Sequence, residues 1–159
     1  MKVENIFFLV QHGEAKSEIE DPERHLTEKG KKESEKVANF LLKINLKPDI
    51  IIHSGKIRAR ETAEIFSKIL NPEKGIIQGE NLSPLDNPRF WGERLKIEKE
   101  KIMLVGHLPH LSKLTSLLLI NDENREIVKF RYSSCLILSR EEKNFYIKLF
   151  ITPEICEIG

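Results

Sequence analysis

Imidazole, carboxylate and guanidinium groups stand where short apolar runs of this sequence end, and together they suit phosphate chemistry. They are His12 after the first run, His53 after the second with Arg58 shortly behind it, Glu80 after the third, and His107 after the last. A neutral imidazole is a nucleophile near pH 7, and an arginine offers phosphate oxygens a planar fork of donors. Two imidazoles and one arginine at a common site would therefore favour an anionic substrate.

Each of these residues also has a purely structural interpretation. A histidine followed by glycine is more often a turn than a catalyst, and Arg58 could lie on a solvated helix face, as Arg60 is expected to do. His107 could stabilise a loop, while His25 and His110 are expected to be structural or exposed. The shared position at strand ends argues for one site more strongly than any single residue does.

The composition excludes several classes of function. The chain has 159 residues and a formal net charge of +1. This fits one domain over residues 1–159 and argues against a nucleic-acid binder, which would carry a strong basic excess. No apolar segment has the length of a membrane span or a signal-peptide core. Cys135 and Cys156 stand alone, without the spacing of a metal site. We therefore expect a cytoplasmic protein that binds neither nucleic acid nor membrane.

The hydrophobic periodicity alternates between strands and helices. The predicted strands are Val3–Val10, Ile50–His53, Gly75–Gln78, Lys101–Val105, Ser134–Ser139 and Phe145–Ile151. The predicted helices run from the Thr27 cap to about Ile44, along the stripe Ala59 to Ile69, from Phe90 to Ile97 and from His110 to Ile120. This order predicts a single-domain α/β three-layer sandwich, with a mostly parallel central sheet, an antiparallel edge and helices on both faces. Ligands of such sheets bind at the carboxyl ends of the strands, where the polar groups would converge.

Four segments, in this order, resemble the signature motifs of the histidine phosphatase superfamily. They are QHGEA at residues 11–15, RHLTEKG at 24–30, SGKIRARETA at 54–63 and VGHLP at 105–109. The compact chain, without a large helical insertion after the third strand, is similar to the SixA-type phosphohistidine phosphatases. The resemblance covers nearly the whole chain.

The resemblance implies a phosphatase in which His12 attacks phosphorus and carries the phosphoryl group transiently. Arg58 would hold the phosphoryl oxygens, His107 would donate a further hydrogen bond, and Gly13 would leave room for backbone near the phosphate. No metal or other cofactor is needed. The expected substrate is phosphohistidine in a signalling protein, with a small phosphate as the alternative.

Gln11 departs from the family pattern, which has an arginine at this position. Glutamine can still donate to phosphate, but the missing charge would cost roughly 2–4 kcal/mol of transition-state stabilisation. Four interpretations stay open: a slow but real phosphatase, a compensating cation, a degenerate site that only binds phosphate or a phosphoprotein, and an introduced substitution. The candidate cations are Lys16, Arg24 and Lys56.

The general acid that protonates the leaving group is a second open point. Asn81 aligns with the family's acid, and Glu80 precedes it by one residue, so Glu80 is the candidate. Phosphohistidine needs little acid help because a protonated imidazole leaves readily. A weak acid therefore favours phosphohistidine over a stable phosphate ester, without excluding a broad small-molecule phosphomonoesterase.

Overall fold

Strands and helices alternate along most of the chain, and the computed structural model describes residues 4–157. In chain order the elements are β1 (Asn5–Gln11), α1 (Glu28–Lys43), β2 (Ile50–His53), α2 (Ile57–Leu70), β3 (Ile76–Gln78), α3 (Arg89–Ile97), β4 (Ile102–Gly106), α4 (His110–Ile120), β5 (Cys135–Glu141) and β6 (Asn144–Ile151), followed by a 3-10 turn at Ile155–Glu157. All the predicted helices and strands are present, with their ends shifted by one or two residues. The predicted start of the first strand at Val3 lies outside the described residues.

The six strands form one sheet in the order β3-β2-β4-β1-β5-β6. The first four of these are parallel, whereas β5 runs antiparallel to β1 and β6 antiparallel to β5. The prediction of a mostly parallel sheet with an antiparallel edge is confirmed. Because β1, β4 and β2 are neighbours, the residues that follow them emerge side by side at one edge of the sheet.

Helices cover both faces of the sheet, which confirms the three layers. Successive residues of β1 point to opposite faces of the sheet. Phe8 and Val10 pack with α1 and α2 on one face, and Phe7 and Leu9 pack with α3 and α4 on the other. All four of these side chains are fully buried. A strand covered on both sides must be apolar at every position, which explains the continuous apolar run. None of the helices within residues 4–157 has the length and apolar character needed to cross a membrane.

The start of α1 is fastened to the loop that leaves β1. Thr27 caps the helix by accepting from the Gly30 N–H at 3.0 Å, and its hydroxyl donates to the Glu14 carboxylate at 2.9 Å. A Cβ atom on Gly30 would collide with the backbone of Glu14, so this close approach requires glycine. The loop between residues 14 and 27 is thereby anchored at both ends beside the carboxyl end of β1.

Candidate active site

His12 and His107 meet at the carboxyl ends of β1 and β4. The backbone N–H of His12 donates to the Gly106 carbonyl at 3.0 Å, which fixes one exit loop against the other. The two imidazole centroids are 5.0 Å apart. Both side chains are buried, with 6% of His12 and 1% of His107 exposed. The structure therefore brings the two predicted imidazoles into contact.

His12 is held as a neutral imidazole with one defined free nitrogen. Its Nδ1 lies 2.7 Å from the Gly13 carbonyl oxygen, which can only accept, so the proton sits on Nδ1. Burial lowers the pKa of His12 to about 4. The hydrogen bond to the Gly13 carbonyl raises this pKa, and the positive charges of Arg58 and Arg24 lower it further. Near pH 7 the Nε2 atom thus carries a lone pair, which is what a nucleophile requires.

His107 is also neutral, and one of its nitrogens has no partner among residues 4–157. Its Nε2 lies 2.6 Å from the Ser54 hydroxyl, whose oxygen accepts from the Lys56 N–H at 3.3 Å. A hydroxyl that accepts from Lys56 can also donate to Nε2, and in that tautomer the proton of His107 is on Nδ1. This Nδ1 is buried and has no hydrogen-bond partner within residues 4–157. Burial is the largest cause that lowers the pKa of His107, to about 2. Smaller electrostatic contributions from His12 and Arg58 lower it as well.

Arg58 projects from the first turn of α2 and makes no ion pair in the described part of the chain. Its Nε atom is buried without a partner. Burial lowers the pKa of the guanidinium, the nearby Arg24 lowers it further, and Glu18 and Tyr132 raise it. Arg60, by contrast, is exposed and pairs with Glu64 at 3.1 Å. The expected difference between a site arginine and a surface arginine is present.

Gly13 joins β1 to α2. Its N–H donates to the Thr62 hydroxyl oxygen at 2.9 Å, and the Thr62 hydroxyl donates to the Arg58 carbonyl at 2.8 Å. A Cβ atom at position 13 would come within 2.9 Å of the Gly30 carbonyl and the Ser34 hydroxyl. The visible role of Gly13 is therefore close packing that sets Arg58 relative to His12. Its predicted part in binding the substrate stays a prediction.

Gln11 is the last residue of β1 and is buried, with its Oε1 atom unpartnered within residues 4–157. Of the candidate cations, Arg24 lowers the pKa of both His12 and Arg58, and Lys56 lowers the pKa of His107. Arg24 is also anchored, because its Nε donates to the Lys16 carbonyl at 3.0 Å. Arg24 is therefore the candidate cation nearest in effect to both His12 and Arg58, and its compensating role stays a prediction.

Glu80, the predicted general acid, has an exposed side chain. Its carbonyl accepts from the Trp91 indole at 2.9 Å, which fixes the backbone at the end of β3. The carboxylate that raises the pKa of Arg58 belongs to Glu18, in the loop after β1, and not to Glu80. The structure thus brings His12, Arg58 and His107 together, and the role of Glu80 stays a prediction.

The other three histidines differ in burial and in hydrogen bonding. His53 is buried at the end of β2, and its Nδ1 accepts from the Gly55 N–H at 3.0 Å. His25 lies 2.8 Å from Asp21, and this hydrogen bond raises its pKa. His110 is fully buried at the start of α4. Across residues 4–157, no three histidine, cysteine, aspartate or glutamate side chains are grouped so that they could hold a metal ion.

Sequence reasoning missed the role of three residues at the site. Ser54 and Thr62 lie inside a recognised motif, but their contacts with His107 and Gly13 were not expected. Tyr132 packs its ring on His12 with a centroid separation of 5.7 Å. No periodicity or motif marks this tyrosine.

Several known proteins are similar to this chain in sequence or in structure. The family model "Histidine phosphatase superfamily (branch 1)" matches residues 7–101. An uncharacterized protein of Picosynechococcus sp. is 37% identical over 99 residues, which cover 59% of each chain. The mitochondrial serine/threonine-protein phosphatase Pgam5 of Drosophila melanogaster is 37% identical over 67 residues, covering 42% of this chain and 23% of the relative. These matches span about three-fifths and about a quarter of the relatives' own lengths.

The fold matches that of the protein histidine phosphatase SixA, solved in complex with tungstate. The TM-score is 0.85, at 22% sequence identity, and the match covers 96% of this chain and 99% of SixA. The resemblance inferred from the four sequence motifs is confirmed. The chain belongs to the histidine phosphatase superfamily.

Proposed function

We propose that this chain is a phosphatase that works through a phosphohistidine intermediate on His12 and acts on phosphohistidine in a protein. The observation that carries the proposal is the buried, neutral His12 with its free Nε2 beside Arg58 and His107. The Nε2 lone pair would attack phosphorus while the bond to the substrate's nitrogen breaks, and the departing imidazole takes up a proton. Water would then attack phosphorus, releasing inorganic phosphate and regenerating neutral His12.

Arg58 and His107 would stabilise the charge on the transferring group. The guanidinium of Arg58 offers charged donors, and His107 offers a neutral donor in the tautomer that is protonated on Nδ1. His107 is almost fully buried and Arg58 is partly buried, and hydrogen bonds to an anion are stronger in such surroundings than in water.

The preference for phosphohistidine rests on the weak acid assistance that the site offers. Glu80 is exposed, and an ester oxygen leaves poorly without a proton donor. An N–P bond breaks more readily, because its nitrogen can be protonated before it leaves. The similar fold of a protein histidine phosphatase supports the same choice. The predicted cytoplasmic location and the phosphoprotein partner stay predictions.

Gln11 favours a second candidate, a module that binds phosphate or a phosphoprotein without turnover. The two functions are separated by trapping the intermediate with a radioactively labelled phosphohistidine protein. Label that is bound to the parent, stable in alkali and lost in acid marks an N-phosphorylated enzyme, and His12→Ala should not form it. Binding of the phosphoprotein with no label transferred would contradict a phosphatase. Faster turnover of sugar phosphates than of phosphohistidine would indicate a broad phosphomonoesterase instead.

Arg58→Ala provides a kinetic test with a control on the same helix. We expect it to lower kcat/KM by about 100-fold or more, as for the loss of a donor to a charged transition state. Arg60→Ala removes an exposed arginine paired with Glu64 and should change kcat/KM little. Equal losses in the two variants would contradict the proposed role of Arg58.

A further inference from the structure

Tyr132 lies beside the two residues that would hold a phosphoryl group. Its ring centroid is 5.7 Å from that of His12, and the two ring planes are inclined by 41°. Tyr132 is 38% exposed, whereas His12 is only 6% exposed. The ring of a partly exposed tyrosine therefore lies against a nearly buried nucleophile. Its phenol is also close enough to Arg58 to act on the pKa of that guanidinium.

The turn that carries Tyr132 is fastened to the strand that carries His12. The N–H of Ser133 donates to the Gln11 carbonyl at 3.0 Å and to the His12 carbonyl at 3.3 Å. Ser133 has a φ of 63°, so the turn doubles back sharply. The hydroxyl of Ser133 lies 2.9 Å from that of Ser34 on α1. These bonds hold the turn against β1, and the phenol is positioned before any substrate arrives.

We propose, on the basis of the phosphatase function above, that Tyr132 is a further substrate-contacting residue whose hydroxyl donates a hydrogen bond to the phosphoryl group held by His12 and Arg58. A phenol is a neutral donor, so it adds no repulsion to the arginines around the site. Such a donor suits a site in which Gln11 provides an amide where the family has a cation. Tyr132 would supply part of the hydrogen bonding that a charged side chain at position 11 would otherwise provide.

Tyr132→Phe tests the hydroxyl alone, because phenylalanine keeps the ring and its packing on His12. We expect kcat/KM for a phosphohistidine peptide to fall about 10-fold or more, the effect of losing a hydrogen bond to a charged group. Binding of orthovanadate, measured by titration, should weaken by a similar factor. Tyr146→Phe, on β6 and 50% exposed, is the matched control and should equal the parent in both measurements.

Two results would overturn the role of Tyr132. One is a Tyr132→Phe variant within about two-fold of the parent in kinetics and in vanadate binding, a difference worth only ~0.4 kcal/mol. The other is an equal loss in Tyr146→Phe, which would mean that the effect is not specific to the hydroxyl at position 132. Vanadate binding requires no turnover. A parent that hydrolyses nothing would therefore contradict the proposed phosphatase, while the binding comparison would still decide the role of the hydroxyl.

Discussion

Exchanging charge between positions 11 and 24 tests whether Arg24 replaces the arginine that the family has at position 11. Arg24 is anchored on the Lys16 carbonyl at 3.0 Å, and its charge acts on the pKa of both His12 and Arg58. If Arg24 donates to the phosphoryl group, Arg24→Gln loses a hydrogen bond to a charged group, about 1.5–3 kcal/mol. This corresponds to a fall of roughly 10- to 150-fold in kcat/KM.

Gln11→Arg alone should then raise kcat/KM by less than about 5-fold, because a further guanidinium would enter a site that already contains Arg24 and Arg58. In the Gln11→Arg background, Arg24→Gln should cost much less than it does in the parent. The assay is a double-mutant cycle on kcat/KM, with vanadate inhibition measured in parallel. Arg89→Gln, an exposed arginine paired with Glu123, is the control. A harmless Arg24→Gln together with a 10-fold gain in Gln11→Arg would refute compensation by Arg24.

Three further outcomes follow from the pKa values and from the position of Glu80. After correction for substrate ionisation, kcat/KM should stay constant as the pH falls below 6.5 and should decrease only near pH 4, because His12 has a pKa of about 4. A decrease in kcat/KM that begins at pH 6.5 would contradict this. Burial lowers the pKa of His110 to about 4, so between pH 6.5 and 4 this residue binds a proton only in the unfolded state. The contribution of His110 to the free energy of unfolding therefore falls by about 3 kcal/mol as the pH drops through that window. Urea unfolding at pH 7 and pH 4 should show a smaller decrease for His110→Phe than for the parent. Glu80→Gln should lower turnover of an aryl phosphate more than that of phosphohistidine, and equal effects would remove Glu80 as the acid.

The convergence of His12, Arg58 and His107 was predictable because it follows from strand order. A run such as Ile6–Val10 is apolar at consecutive positions only when both faces of the strand are covered, which indicates a parallel sheet between helices. Parallel neighbours end at one edge, so the residues that follow them must approach each other. Local sequence information was sufficient for this part of the site.

Tyr132 and the favoured role of Arg24 required the structure, because their positions depend on irregular backbone. Arg24 has a φ of 55°, and the turn at residues 132–133 includes a second left-handed residue. Neither conformation leaves a period in the sequence, and the turn at residues 132–133 is held by hydrogen bonds to Gln11 and His12, which are distant in the chain. The same limit applies to Glu80 and Glu18: alignment to a motif suggested the first carboxylate, whereas the fold of the loop after β1 brings the second near Arg58.

Buried polar atoms without partners in residues 4–157 occur at the candidate site and also elsewhere, where the Nε atom of Arg140 is one example. Arg140 is buried and donates to the Leu95 and Glu98 carbonyls, the latter at 2.7 Å, so it completes the end of α3. At the candidate site, the Arg58 Nε and the His107 Nδ1 are buried with no acceptor in residues 4–157. Each such donor costs about 1–3 kcal/mol if it stays unpaired. A bound phosphoryl group brings the acceptors that both donors need, so the cost of burying them is recovered only with substrate in place. On the proposed mechanism, this difference between the free and the occupied site is part of what drives binding of an anion by a chain with a net charge of only +1.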